Sequence, residues 1–391
     1  MNLTYIVHYG EIALKGRNRL QFENSLINNI RKALEDLGDP DVDRHHGYFI
    51  LTIAEAAPAS QVEKRLRRVF GIAYFAPVTR TPWDIEAIGD AAVTLAEGVI
   101  TPKTTFRIET TRGDKRFPIK SFEVDRRVGT RVVEATQAPV DLTQPDVTLF
   151  IQIYEDAAYL FIRKISGPNG LPLGSSGQIL SLFSGGIDSP VSTHLMMKRG
   201  CRPDFIHFHL LANDQQIRQS KIVRMARRVM EPHRTSASLF MVSSAPFEAA
   251  MATVQVKETT VIFRRFMMRI ANRIAQKQHV TALVTGESVG QVASQTLQNI
   301  NVIARASELP ILRPLVGMNK QEIIERAKAI GTYRISIEPY RDPCSIHAKH
   351  PATWAKLEDV VAIEEQVRID ALVEETLADH VDTLRIRFER G

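Results

Sequence analysis

Residues 179–200 read ILSLFSGGIDSPVSTHLMMKRG, an apolar run of strand length that meets Ser184, Gly185 and Gly186 and continues into a helix-like segment. The glycines follow the strand directly, Ser189 suits a helix N-cap, and Pro190 suits the first helical position. Such a turn directs the backbone N–H groups of Ser184, Gly185 and Gly186 to an anion at a helix N-terminus, where the macrodipole also favours negative charge. The spacing G-x-x-x-x-G-K-[ST] and its lysine are absent, so this is not a Walker A loop. Asp188 beside bound phosphates makes chemical sense if it holds Mg²⁺, which neutralises a departing pyrophosphate. On spacing alone, a plain glycine turn between strand and helix is the competing reading.

Other reactive residue types are few. The two cysteines, Cys201 and Cys344, cannot build a disulfide framework or a four-thiolate zinc site, so a cysteine that matters here matters by reactivity. Cys344 lies in RDPCSIH, with Arg341, His347 and Lys349 near enough in sequence to favour thiolate. Cys201 follows a helix of about eleven residues that starts at the glycine loop, which puts it roughly 16 Å away at ~1.5 Å per residue, and it reads as a structural thiol. His207 and His209 share one face of a strand, but no third ligand accompanies them, so a structural or ligand-lining role is expected and no metal site is assigned. Lys320 lies in GMNKQEII, where Asn319 can cap a helix with Glu322 three residues on. A cation in that first turn opposes the helix dipole, which makes Lys320 a candidate anion contact. Between Arg112 and Arg131 the chain places Arg112, Lys115, Arg116, Lys120, Arg126, Arg127 and Arg131 against three acids, with Phe117 and Phe122 interleaved, a pattern suited to RNA.

These residues need elements to position them. A chain of 391 residues, 44% hydrophobic and 24% charged, is expected to form two or three domains. It shows no apolar run of ~18 residues and no signal-peptide pattern at its N-terminus, so the expectation is a cytoplasmic protein without membrane contact. The net charge of +6 is uneven: residues 355–391 hold 10 Asp/Glu against 5 Lys/Arg, leaving +11 on the rest, and a basic body points to a polyanionic partner. The acidic tail reads as a solvated amphipathic helix and a final strand, LRIRF, with no chemistry assigned. Residues 1–60 read as a small α+β unit, and residues 61–165 repeat the mixture of strands and helices. The tract SGPNGLPLGSSG at 166–177 reads as a linker. From Gln178 onward strands ILSLF, FIHFHLL, LFMVS and TALVTG alternate with helical segments, the pattern of an α/β parallel sheet whose ligands sit at the carboxyl ends of the strands.

SGGIDS resembles the PP-loop of the ATP pyrophosphatases. With YGEIALKGRNRLQFE (9–23), TGESVGQVASQTLQNI (285–300), RPLVGMNKQEIIERAKAIGTYRISI (313–337) and DPCSIHAKHPAT (342–353), the chain resembles the tRNA 4-thiouridine synthetases, the ThiI family. The resemblance implies a ferredoxin-like N-terminal domain (1–60), a THUMP RNA-binding domain (61–165), a linker (166–177) and a PP-loop domain (178–391). It implies ATP and Mg²⁺ as cofactors and tRNA as partner, with adenylation of uridine 8 and replacement of its C4 oxygen by sulfur. ATP contacts are carried over to Leu182, Phe183, Ser184, Gly185, Gly186, Ser189, His207, Phe208, Arg264, Gly286 and Gln295, and catalytic roles to Asp188 and Cys344. Gly286 permits close backbone approach and Gln295 can pair with an adenine edge. His8 stands where the family commonly has Arg, and the chain stops at Gly391 without the rhodanese domain many members carry. Sulfur is therefore expected from outside, from a cysteine desulfurase or another persulfide or sulfide donor, and the family suggests a homodimer. The alternatives are another PP-loop adenylating enzyme, such as a 2-thiouridine synthetase or an amide-forming ligase, and an RNA-binding protein without catalysis.

Overall fold

A computed structural model describes residues 2–54, 56–155, 157–254, 256–343 and 351–387. The chain divides into two compact units, Met1–Gly170 and Leu171–Gly391.

The strands of the first unit are β1 (Leu3–Tyr9), β2 (Asp41–Arg44), β3 (Tyr48–Ile53), β4 (Ile72–Pro77), β5 (Thr79–Thr81), β6 (Phe106–Arg112), β7 (Val147–Ile153), β8 (Ala158–Phe161) and β9 (Ile165–Ser166). One sheet runs β2-β3-β1-β4-β9, with β1 antiparallel to both β3 and β4. Alternation along β1 sends Tyr5, Val7 and Tyr9 into a core with Leu26, Ile30 and Leu66 of the helices Arg19–Leu34 and Ala59–Leu66. Ile6 points to the other face, where Tyr48, Tyr159 and Phe161 cover it. The second sheet runs β5-β8-β7-β6 under the helices Ile85–Ala96 and Ser121–Thr136. The helix 59–66 packs on the first sheet and β4 is one of its strands, although the sequence reading placed residues 61–165 in the second domain. Their apolar positions Val62, Leu66, Ile72 and Phe75 fill the first core, and a count of strand and helix patterns carries no information about which core they complete.

The second unit holds β10 (Gln178–Leu182), β11 (Arg202–His209), β12 (Ala237–Ser243), β13 (Leu283–Val284), β14 (Ile311–Leu312) and β15 (Val381–Ile386), in the order β14-β13-β10-β11-β12-β15. Every pair is parallel except β12 with β15. Strand β11 is buried from Pro203 to His209, as expected of a parallel strand covered on both faces. Phe208 and Phe240 face Val261, Phe263 and Phe266 of the helix Thr259–Lys277. On the opposite face, Val191 of the helix Asp188–Lys198 packs with Ile323 and Ala327 of the helix Lys320–Ala329.

Two expectations are corrected. The tract 166–177 is built into structure: Ser166 lies in β9, Leu171 N–H donates to Lys198 O at 2.9 Å, and Gly174 and Ser176 N–H donate to Gly200 O at 2.8 and 3.0 Å. Gly200 (φ +86°) is required there, since a Cβ would stand 2.6 Å from the hydroxyls of Ser175 and Ser176. The acidic tail is not merely solvated. Glu364 of the helix Leu357–Gln366 is 2% exposed and takes bidentate contacts from Arg265 and Arg269 at 2.7 to 3.0 Å, locking that helix onto 259–277. Burial alone would raise its carboxyl pKa, but the two guanidinium groups outweigh that and hold it below the usual range. Among the described residues no helix is long and apolar enough to cross a membrane.

Candidate active site

Strand β10 ends at Leu182, and the chain turns through Phe183–Ile187 into the helix 188–198 at the carboxyl edge of the parallel sheet. The helix begins at Asp188, two residues earlier than a Ser189 cap would allow. Ser189 instead reaches back across the loop: Ser184 N–H donates to Ser189 Oγ at 2.9 Å, and Ser189 Oγ donates to Ser184 O at 3.2 Å. Gly186 N–H donates to Ser184 Oγ at 3.2 Å. Two of the three amides that the sequence assigns to phosphate thus already meet hydroxyl oxygens of the loop itself.

Gly185 is glycine because of Tyr340, whose ring carbon would lie 2.7 Å from an added Cβ. The Tyr340 hydroxyl donates to His207 Nε2 at 2.6 Å, and His207 Nδ1–H donates to Phe183 O at 2.7 Å. Burial pushes the His207 pKa down against the pull of Asp342, so the neutral tautomer implied by these bonds is the stable one. Burial and Asp342 push the Tyr340 phenol up, keeping it a donor. Lys221 Nζ donates to Ser336 O at 2.9 Å and Glu338 O at 2.6 Å, fixing the segment that carries Tyr340. Among the described residues no group of three or more His, Cys, Asp or Glu could hold a metal.

Beside the loop lies a cleft of about 420 Å³. Leu182, Ser184, Ser189, Arg264, Gly286 and Gln295 line it, together with Asp188. Phe183, Phe208, Gly185 and His207 are buried, Gly186 is exposed, and none of the five lines the cleft. Gly286 serves close approach, as its residue type suggests, but to the protein: an added Cβ would be 3.0 Å from Asp188 C and Ser189 N. Gln295 Oε1 accepts from Ser288 N–H at 3.4 Å. Asp188 holds Lys320 Nζ on Oδ1 at 2.7 Å and Gln291 Nε2 on Oδ2 at 2.9 Å. Lys320 opens its helix behind the expected capping box, in which Asn319 and Glu322 each accept the other's N–H.

Four residues escaped the sequence reading: Glu287, Gln291, Arg313 and Tyr340. Glu287, 4% exposed, accepts from Arg264 Nη1 at 2.8 Å, Arg313 Nε at 2.6 Å and Thr285 Oγ1 at 3.0 Å. It fixes Arg264 in the cleft wall. The available signal was position: Glu287 and Arg313 stand just beyond the apolar ends of β13 and β14, where ligands gather in parallel sheets. Cys344 lies outside the described residues. Cys201 is buried, with its thiol pKa pushed up by burial, as suits a structural residue.

In the first unit the basic stretch separates into two groups. Arg112 Nη1 donates to Phe117 O at 2.9 Å and Ile119 O at 3.1 Å, Phe117 is core, Arg116 pairs with Asp114 at 2.6 Å and Glu155 at 3.1 Å, and Arg127 pairs with Glu123. Lys115, Lys120 and Arg126 are exposed around Phe122, itself 67% exposed.

A glycine loop between strand and helix at the carboxyl edge of a parallel sheet, beside a cleft lined by Asp188 and Arg264, defines a PP-loop nucleotide-binding domain, and two smaller α+β layers precede it. Family profiles agree: one described as Thiamine biosynthesis protein (ThiI) matches residues 174–369, the ThiI ferredoxin-like domain 4–76 and the THUMP domain 83–163. The chain is 40% identical to the probable tRNA sulfurtransferase of Moorella thermoacetica, over 100% of this chain and 99% of that relative. It is 39% identical to the probable tRNA sulfurtransferase of Brevibacillus brevis, over 95% and 94%. A crystal structure of a 4-thiouridine synthetase–RNA complex with bound ATP superposes with a TM-score of 0.87 at 31% identity, covering 99% of this chain and 100% of that one. The chain belongs to the ThiI family of tRNA sulfurtransferases.

Proposed function

We propose that this protein is an ATP-dependent tRNA sulfurtransferase that adenylates uridine 8 and replaces its C4 oxygen with sulfur, giving 4-thiouridine. The observation that carries the reading is the cleft lined by Asp188 and Arg264 at the start of the helix 188–198, with Lys320 bonded to Asp188. The helix N-terminus and Lys320 favour the β and γ phosphates of ATP. Arg264, fixed by Glu287, supplies a positive charge for the α phosphate, where negative charge grows as the C4 oxygen bonds to phosphorus and pyrophosphate leaves.

Both oxygens of Asp188 meet donors only, so a cation in place of Lys320 Nζ finds a ready ligand. A single carboxylate of this kind fits Mg²⁺, which is commonly held by one or two carboxylates and the substrate's phosphates, and which would neutralise the leaving pyrophosphate. Cys344 is the proposed sulfur carrier. Its persulfide attacks C4, AMP leaves, and an external dithiol or two thiols reduce the resulting disulfide and are themselves oxidised to a disulfide, releasing 4-thiouridine and the Cys344 thiol. A cysteine desulfurase or another persulfide donor reloads it by passing its outer sulfur to the Cys344 thiolate, whereas a sulfide donor would act by attacking C4 of the adenylate directly. The same reading takes the enzyme to be cytoplasmic and homodimeric, which light scattering checks for the dimer.

The test is nucleoside mass spectrometry of tRNA incubated with protein, ATP and a sulfur source. The expected product is 4-thiouridine with one AMP per thiolation, and Asp188→Ala should form neither AMP nor thiouridine while still binding tRNA. Normal turnover by that variant refutes the assignment of Asp188, and a wild-type protein that makes no thiouridine refutes the function.

A further inference from the structure

Beyond the ATP cleft, the second unit exposes an apolar surface that no step above uses. Val292, which lines the cleft, is 50% exposed. Leu297 and Trp354, on neighbouring segments, are each 70% exposed. The segment carrying Trp354 is laced along the first turn of the helix Leu297–Ala304: Thr296 Oγ1 donates to Thr353 O at 2.9 Å, Gln298 Nε2 to Ala355 O at 3.2 Å, and Ala355 N–H to Asn299 Oδ1 at 2.9 Å. Buried Asn299 also donates through Nδ2 to Ala352 O and to Ala293 O, both at 2.8 Å, and Ala293 lines the cleft. One side chain therefore ties the platform to the cleft wall. The indole is held out in solvent by a hydrogen-bonded frame.

Exposed Lys257 and Lys356 flank this surface: Lys356 is two residues from Trp354, and Lys257 O accepts from Ala352 N–H at 2.9 Å. The acids nearest in sequence have helix ends to face, Glu258 at the start of 259–277 and Glu358 and Asp359 in the first turn of 357–366. An aromatic face between cations, continuous with a nucleotide cleft, is the composition that binds unstacked bases along a phosphate backbone.

We propose that Trp354, with Leu297 and Val292, forms a stacking platform for an unpaired base of the substrate tRNA at the mouth of the ATP cleft. This rests on the functional reading above. For C4 of a uridine to reach the α phosphate inside the cleft, the base must leave the stack of the folded RNA, and the enzyme must replace the stacking lost. Trp354 replaces it where the RNA enters.

The sequence makes the test direct, because the chain has two tryptophans and Trp83 packs against Phe117 at 5.6 Å in the first unit. Trp83→Phe leaves Trp354 as the sole indole emitter. The variant is first checked for thiouridine formation with ATP, sodium sulfide and tRNA, then titrated with tRNA. Saturable quenching is expected, with none from sodium sulfide or from protein concentration alone. Trp354→Ala should raise KM for tRNA by ~5- to 150-fold, the range for loss of one aromatic stack, with kcat changed less than ~2-fold, and Trp354→Phe should restore most of the loss. Should Trp83→Phe fold poorly, the emission of wild type minus Trp354→Ala supplies the same signal. Thiouridine formation without quenching, or an unchanged KM in Trp354→Ala, overturns the platform. Quenching by a persulfide-donor protein without tRNA, or by self-association, also overturns it, because another partner then covers the indole. A wild-type protein that makes no thiouridine overturns the functional reading itself, whatever the emission does.

Discussion

Glu287→Gln tests the logic of the cleft wall most directly. The Glu287 carboxylate, 4% exposed, is the counter-charge shared by Arg264 and Arg313. Gln keeps the shape and one acceptor oxygen but removes the charge, leaving two guanidinium groups in a poorly hydrated wall. Breaking a buried ion pair from one side costs ~3–5 kcal/mol, and the retained acceptor argues for the lower end, about 3 kcal/mol. For a domain of this size that is a fall in Tm of about 6–12 °C. Two controls follow from the same reasoning. ATP should raise the Tm of Glu287→Gln less than that of wild type, since ligand binding to the native state adds stability by mass action and the variant, with Arg264 unanchored, binds ATP more weakly. Adding Arg313→Met should recover part of the loss, because removing both partners leaves less uncompensated charge. The assay is thermal unfolding with and without ATP, alongside KM for ATP, expected to rise roughly tenfold as Arg264 loses its anchor. A Tm fall under about 2 °C, or a double variant less stable than the single one, refutes the argument.

Three further outcomes are expected. Replacing Lys115, Lys120 and Arg126 by Ala should lower the log–log salt slope of tRNA binding by about 2.1–2.7, at ~0.7–0.9 per lost phosphate contact, and an unchanged slope points to another RNA surface. Cys344→Ser should form AMP but no thiouridine while Cys201→Ser thiolates normally; thiouridine from Cys344→Ser at physiological donor levels refutes the persulfide role. His8 bonds Gln152 Oε1 at 2.9 Å and stacks on Tyr74, and burial lowers its pKa from 6.5 to about 4. Because the folded value lies below the unfolded one, its contribution is complete above about pH 6.5 and is lost as pH falls toward 4. The stability gap between wild type and His8→Gln should therefore shrink by about 2 kcal/mol from pH 7 to pH 5, and a constant gap in denaturant titrations counts against it.

The sequence by itself determined the local features whose physics is local. The strand, glycine turn and helix at 179–200 are legible because chain direction, glycine freedom and helix polarity are all encoded within a few residues. The Asn319–Glu322 capping box and the buried run FIHFH of β11 are legible for the same reason, and five motifs in order identified the family. What only the tertiary structure decided lies between segments far apart in the chain. Gly185 needs glycine because Tyr340, 155 positions away in sequence, packs against it. His207 is a neutral bridge from Phe183 to Tyr340. Of the basic stretch, Arg112 props its own loop while Lys115, Lys120 and Arg126 remain exposed, a division set by which carbonyls and carboxylates the fold brings within reach. Glu287 and Arg313 are ordinary charged residues until parallel strands β13 and β14 end side by side and bring them into contact. Such partners are selected by burial, which raises the free energy of any charge left alone, and burial is a property of the assembled core.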